Sequence, residues 1–293
     1  MARLRMLRKM IFDGRGPPPA PAARPDPMSW PDDALTGSCL GHSTVLMNFL
    51  GVRILTDPVF SLRVGPGFPP VVLGPKRYVQ PALRPWEFAA PDVILLSHAH
   101  FDHLDGASLR KFPRDTPIVT ARATGDILRC WRFRNIHEVD WGQTVRLTTR
   151  AGELSCTGLE VAHWGARMMR DDHRGYNGYL IARNGAAVCF AGDTAYTPAF
   201  AKLNNPRQPL DLMLMPIGAY DPWIRAHCSP EQAVAMANDA GARHFVPIHH
   251  ETFKLSNEPM DEPARRLRAA LAHEPGRLLA VSVGETFRVP LAA

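Results

Sequence analysis

Paired cysteines are missing from this chain. Its five, Cys39, Cys130, Cys156, Cys189 and Cys228, form no C-x-x-C and are odd in number, which argues against a disulfide framework or a zinc knuckle and fits a reducing, cytoplasmic setting. A G-x-S-x-G elbow, a P-loop and a dinucleotide fingerprint are absent too, so nothing points to a serine esterase or a nucleotide site. The first twelve residues contain no continuous apolar stretch, which excludes a spanning helix there and speaks against a secretory signal. Nor does the body of the chain carry a basic excess. Residues 1–24 hold six cations against Asp13 alone, which is +5 of the formal +6, and a nearly neutral remainder lowers the case for nucleic acid as a partner.

What is present divides unevenly. Residues 1–33 read as a basic segment followed by a Gly/Pro/Ala-rich linker or arm, and residues 34–293 as one hydrolase domain whose core the 45% hydrophobic content can supply. Within the first segment Leu4, Leu7, Met10 and Ile11 share a helical face among arginines. That face suits peripheral contact with an anionic inner membrane surface, and a solvated tail suits it equally. From Leu35 onward short strands, turns and a few helices alternate. Residues 43–49 and 52–56 predict a hairpin around Leu50-Gly51, and 118–120, 145–147, 179–182 and 187–191 predict further strands. Helices are expected over 123–132, 229–240 and 260–272, the second with Ser229 as N-cap, Gln232 completing a capping box and Gly241 past its end. Residues 58–91, rich in proline and apolar side chains, read as a loop folded over a site.

One segment carries the chemistry. Val93 to Leu96 form a buried strand that runs into Ser97-His-Ala-His-Phe-Asp-His103, and in a locally extended chain His98 and His100 point the same way and grip one ion. Asp102 and His103 follow at a turn that swings them toward a second. Imidazole and carboxylate are ligands for zinc, with iron or manganese as alternatives. Packed against a buried strand, such groups are costly without a partner. His163, Asp193 and His249 each follow an apolar strand of their own, and Gly192 lets the backbone approach closely ahead of Asp193.

These residues resemble the metallo-β-lactamase superfamily: His98-Ala-His-Phe-Asp-His103 matches its H-x-H-x-D-H motif, His163, Asp193 and His249 its later metal motifs, and Asp57 its early aspartate. The similarity runs from about Leu35 to the C-terminus. Gly41-His-Ser-Thr-Val-Leu46, Leu55-Thr-Asp-Pro-Val-Phe60, Gly74-Pro-Lys-Arg-Tyr78, His163-Trp164, Pro216-Ile-Gly-Ala-Tyr220 and Ser229-Pro-Glu-Gln-Ala-Val234 resemble, more narrowly, the branch of N-acylphosphatidylethanolamine-hydrolysing phospholipase D and lactonase-like proteins. Gly175-Tyr-Asn-Gly-Tyr179 and His249-His-Glu-Thr-Phe253 depart from that branch outside the metal motif.

The resemblance implies an α/β fold, an αββα sandwich of two mixed sheets with metals at one edge. It implies two zinc ions, one held by His98, His100 and His163 and the other by Asp102, His103 and His249, with Asp193 between them. Two ions about 3.5–4 Å apart lower the pKa of a shared, bridging water and stabilise charge on attacking and leaving oxygens. Asp102, Asp193 and His227 are the catalytic candidates, with His227 as general acid or substrate contact. Lys76, Arg77, Arg167, Arg170 and Tyr220 are candidate substrate contacts, the cations for a phosphate, and His42 and Asp57 are candidates to orient the ligands. The activity expected is cleavage of a phosphodiester of the N-acyl-phosphatidylethanolamine type. The alternatives are a lactonase or small-ester hydrolase, a nuclease, and a metal-binding, lipid-sensing module without turnover. A homodimer is the base-rate expectation for assembly.

Overall fold

The computed structural model describes residues 16–68, 71–168 and 171–291. The helical face expected within residues 1–12 and the candidate Arg170 lie outside them. Two mixed sheets face each other. The first has seven strands in the order β15-β1-β2-β3-β6-β7-β8 and the second six in the order β14-β13-β12-β11-β10-β9.

The first sheet starts with β1 (Leu35–Gly41), β2 (Thr44–Phe49) and β3 (Val52–Thr56). The β2–β3 turn falls at Leu50-Gly51 as the sequence predicts. Both residues have positive φ, 52° and 89°, the conformation that matches a two-residue hairpin turn to strand twist. Beyond β3 the sheet turns parallel through β6 (Val93–Leu96), β7 (Ile118–Ala121) and β8 (Ile136–Val139). Every residue of β6 is buried, as a parallel strand covered on both faces requires. Between β3 and β6 lies a small antiparallel pair, β4 (Gly67–Phe68) and β5 (Val71–Val72).

The second sheet contains β9 (Thr144–Thr149), β10 (Gly152–Leu159), β11 (Gly178–Arg183), β12 (Ala186–Phe190), β13 (Leu212–Pro216) and β14 (His244–Ile248). β12, β13 and β14 are parallel, and β10, antiparallel to β11, runs the same way as β12. Between the sheets Phe49, Ile54, Leu95, Tyr179, Phe190, Leu214 and Ile248 belong to one buried cluster. Tyr179 also ties the layers, its hydroxyl donating to the Leu96 carbonyl at 2.8 Å.

Helices are shorter than the sequence suggests. α1 (Gly106–Leu109), not foreseen, is capped by Asp105, and α2 covers Gly125–Cys130 rather than 123–132. α3 (Pro230–Asp239) has the expected capping box of Ser229 and Gln232, and α4 covers Glu262–Ala270 rather than 260–272. A final strand, β15 (Thr286–Val289), pairs with β1. Residues 16–33 form no helix or strand but lie along the domain. Pro18 and Pro19 carbonyls accept from Gln80, and Asp32 accepts from Asn48. Among the described residues no helix is long and apolar enough to cross a membrane.

Candidate metal centre

Six strand ends build one site. Asp57 follows β3, the His98–His103 turn follows β6, His163 follows β10, Asp193 follows β12, His227 lies past β13, and His249 follows β14. All these strands run parallel within their sheets, so their carboxyl ends share one edge, where loops of an open sheet place functional groups. Local backbone chemistry fixes the aim. Asp57, Gly192 and His249 have φ of 30°, 61° and 60°, and a Cβ at Gly192 would stand 2.8 Å from both the Asn177 carbonyl oxygen and Ser97 Cβ. Left-handed backbone at non-glycine residues costs roughly 1–3 kcal/mol and persists where the surroundings overdetermine it. Here they do, because His249 N–H donates to the His42 carbonyl at 3.0 Å and His42 N–H to Thr252 Oγ1 at 2.6 Å.

Asp193 is the hub. Its Oδ2 lies 3.1 Å from His103 Nε2, 3.1 Å from His249 Nε2, 3.7 Å from His163 Nε2, 3.8 Å from His227 Nδ1 and 4.0 Å from His98 Nε2. On one side His98 Nε2 and His100 Nδ1 are 2.7 Å apart, with His163 Nε2 3.3 Å from the same His100 atom. On the other, Asp102 Oδ2 lies 3.7 Å from His103 Nε2, 3.6 Å from His249 Nε2 and 3.1 Å from His42 Nε2. Two ligand groups result, His98–His100–His163 and His42–Asp102–His103–His249, with Asp193 within ligand distance of both His98 and His103 and of His163 and His227.

Donor chemistry tests whether cations fit. His103 Nε2, His249 Nε2, His227 Nδ1 and Asp193 Oδ1 are buried without an aligned hydrogen-bond partner, and leaving such atoms unmatched costs about 1–3 kcal/mol each. Burial pushes His98 and His163 well below the ordinary 6.5, His100 and His227 to about 4 and His42 to about 3, which leaves them as neutral ligands. Burial also pulls on His103 and His249. The Asp193 and Asp102 carboxylates outweigh it, lifting His103 well above its ordinary value and His249 to about 9. Asp102 and Asp193 are in turn held well below the carboxylate range by His103, against the effect of burial. Buried carboxylates compensated only by protonated imidazoles are a set that divalent cations satisfy by displacing those protons.

Behind the donors stands a support that sequence reasoning missed in part. Asp57 accepts from His103 Nδ1 at 2.6 Å and from the Ser97 hydroxyl and N–H at 2.6 and 2.7 Å. Ser97 Oγ lies 2.9 Å from His98 Nδ1. His163 Nδ1 donates to the Ala226 carbonyl at 2.8 Å, which leaves Nε2 as the free donor. The role of Ser97 has no sequence signal, since a serine between a strand and a histidine reads as a turn. Trp164, half-exposed, packs its ring 4.7 Å from His100 and 4.4 Å from His163.

The four described substrate candidates turn elsewhere. Arg77 is 2% exposed and donates to the Val59 and Val79 carbonyls at 2.8 and 3.2 Å. Arg167 donates to the Ala99 and Leu104 carbonyls, 2.8 Å each, over the Phe101 ring. Both brace the loops of the site instead of offering a phosphate fork. Lys76 Nζ donates to the Gly16 carbonyl. The Tyr220 hydroxyl donates to Glu262 at 2.7 Å, beneath the Arg266 guanidinium. A loop cation next to a motif in sequence is thus as apt to hold the loop as to face the ligand.

A family model described as a beta-lactamase superfamily domain matches residues 52–250. The chain belongs to the metallo-β-lactamase superfamily. It is similar to an uncharacterized protein of Mycobacterium tuberculosis, 33% identical over 87% of this chain and 69% of that protein. It is 28% identical to N-acyl-phosphatidylethanolamine-hydrolyzing phospholipase D 1 of Caenorhabditis elegans, over 81% of this chain and 70% of the relative. Among solved structures, a metallo hydrolase from the archaeon Ignicoccus hospitalis superposes with a TM-score of 0.64 at 19% identity, covering 88% of this chain and all of the other. As a superfamily member the chain is a metal-dependent hydrolase.

Proposed function

We propose that residues 34–293 form a dinuclear zinc hydrolase that cleaves a phosphodiester of the N-acyl-phosphatidylethanolamine kind. The observation that carries this reading is the convergence of six ligand side chains around a seventh, Asp193, which joins them in two groups. The named activity of the C. elegans relative supports the substrate class. In this reading His98, His100 and His163 hold one ion, Asp102, His103 and His249 the other, and Asp193 serves both. Bound there, two divalent ions supply Lewis acidity, an activated water and charge neutralisation at the phosphoryl oxygens. The chain supplies the rest. Asp57 and Ser97 hold His103 and His98 in orientation, and the Ala226 carbonyl fixes the His163 tautomer. His227, its Nδ1 3.8 Å from Asp193 Oδ2, is the group placed to contact substrate at the edge of the site, and its neutral form would accept a proton there rather than supply one.

The test is release of phosphatidic acid from N-acyl-phosphatidylethanolamine vesicles by protein of measured metal content, with an aryl phosphodiester and a lactone panel run in parallel. Metal-dependent lipid cleavage is the expected result. Lactone turnover without diester cleavage moves the substrate to a small ester, and no turnover by protein carrying two metals overturns the enzymatic reading.

A further inference from the structure

The proline-rich segment between β3 and β6 is built as an arm with an unusual outer surface. Its two limbs, 62–68 and 71–77, pair antiparallel. Arg77 N–H donates to the Leu62 carbonyl, Val64 N–H to that of Pro75 and Leu73 N–H to that of Pro66, Arg63 stands opposite Lys76, and β4–β5 continue the ladder. Gly65 and Gly74 face each other where a Cβ on either would strike the opposite carbonyl oxygen, so the limbs lie flush. Apolar residues should cover something, yet Leu62, Val71 and Leu73 are half to two-thirds exposed. Trp86, 67% exposed beneath the Arg84 guanidinium, adds to them. Leu62, Arg84, Trp86 and Lys111 line one cavity of about 490 Å³.

The arm stands beside the metal centre. A second cavity of about 300 Å³ is lined by Arg63 and Val72 of the arm together with Phe101, Asp105, Arg110 and Met168. Phe101 separates His100 from Asp102, and Met168, itself 56% exposed, is five residues past His163. Charge completes the picture. With Arg77 buried, residues 58–91 present Arg63, Lys76 and Arg84 against Glu87, a net +2 at the surface, and Arg110 and Lys111 lie exposed alongside.

We propose that this arm, with the Arg84–Trp86 turn, is a docking surface for a bilayer bearing anionic headgroups. Exposed aliphatic and tryptophan side chains enter the headgroup boundary while neighbouring cations meet lipid phosphates, the combination that holds a protein at an interface. A second copy of the chain is a poor occupant, because isologous pairing would set the positive face against itself. Docked through the arm, the chain holds the mouth of the metal centre near the lipid surface. That purpose rests on the lipid reading above, whereas the docking does not.

Flotation of the full-length protein with phosphatidylcholine vesicles, with and without phosphatidylglycerol, tests the surface. Wild type floats with the anionic vesicles and releases them as salt is raised. The double variant Val71→Asp/Leu73→Asp partitions about tenfold less or weaker still, as loss of two apolar contacts predicts, and so does Arg84→Gln/Lys111→Gln. Both variants cleave a soluble aryl phosphodiester at the wild-type rate, because none of these side chains touches the metal donors. Vesicle binding that is unchanged in both variants assigns the contact to the N-terminal arginines and overturns the proposal. Binding of neither vesicle, or a self-association that the variants abolish, overturns it as well. A protein that docks but cleaves no diester leaves docking intact and removes the substrate reading instead.

Discussion

Asp193 and Asp57 play different parts in one network, and substitutions separate them. Asp193 touches five histidines through one oxygen, so Asp193→Asn removes the only charge common to both ligand groups. Hydrolysis should fall by more than about a hundredfold, beyond the usual loss on changing a ligand's hydrogen-bond partner, while circular dichroism stays that of the wild type. Full activity with unchanged metal content would sink the dinuclear reading. Asp57 is buried and acts through His103. Asp57→Asn should weaken metal binding about 10–100-fold, read by competition with a chromophoric chelator, and excess metal should restore most turnover. Loss that no metal concentration rescues would assign Asp57 a role beyond orientation. The metal motif itself was legible because three imidazoles and a carboxylate at H-x-H-x-D-H spacing, set against a buried strand, suit little besides holding cations. Arg77, Arg167 and Tyr220 were not, since their partners, the carbonyls of Val59, Ala99 and Leu104 and the Glu262 carboxylate, become neighbours only on folding.

At the scale of elements, legibility followed local chemistry. The Leu50-Gly51 hairpin and the Ser229 capping box are short-range devices and stand where the sequence puts them. α1 spans four residues held by Asp105, too short to carry a periodic pattern, and the ends of α2 and α4 depend on turns that propensity does not resolve. α3 and α4 are joined by a two-point ion pair, Arg266 Nη2 and Nε to Glu231 Oε2 and Oε1 at 2.6 and 2.9 Å. The Arg266 guanidinium holds the Glu231 carboxyl at about 2, against an ordinary 4.5. A depressed carboxyl stabilises the fold fully above its unfolded value and loses that contribution as pH falls. The urea midpoint of wild type should therefore exceed that of Glu231→Gln by a constant margin above pH 4.5, and the margin should shrink toward pH 2. Both proteins are compared metal-free, so that acid-driven loss of metal adds no slope and the titration of the ligand side chains, common to both, cancels from the margin. The pair is half-exposed, so the margin is small and narrows in high salt. A margin that grows on acidification would reject this account of the α3–α4 contact.

For the whole molecule, the decisive fact is that the donors come from both sheets. His98, His100, Asp102 and His103 follow β6 of the seven-stranded sheet, whereas His163, Asp193 and His249 follow β10, β12 and β14 of the six-stranded one. Sequence order alone conveys that several strands end in ligands, but not that two separate layers present them at one edge, because that depends on how the sheets pack through residues such as Tyr179 and Phe190. Metal bound between the layers therefore acts on the stability of the sandwich as well as on chemistry. Free ligand at about a hundred times its dissociation constant adds roughly 2.7 kcal/mol to a state that alone binds it. For a domain of this size that corresponds to about 5–10 °C in melting temperature. Chelation should lower the melting temperature by that order, and added zinc should restore it in a concentration-dependent way. Asp193→Asn, which loses the carboxylate shared by the two ligand groups, should forfeit most of the increment even though its metal-free melting temperature is no lower than that of the chelated wild type. Equal melting temperatures with and without metal in the wild type would mean that the layers hold their final spacing without the ions, and the stabilising role would fall while the hydrolytic one stood.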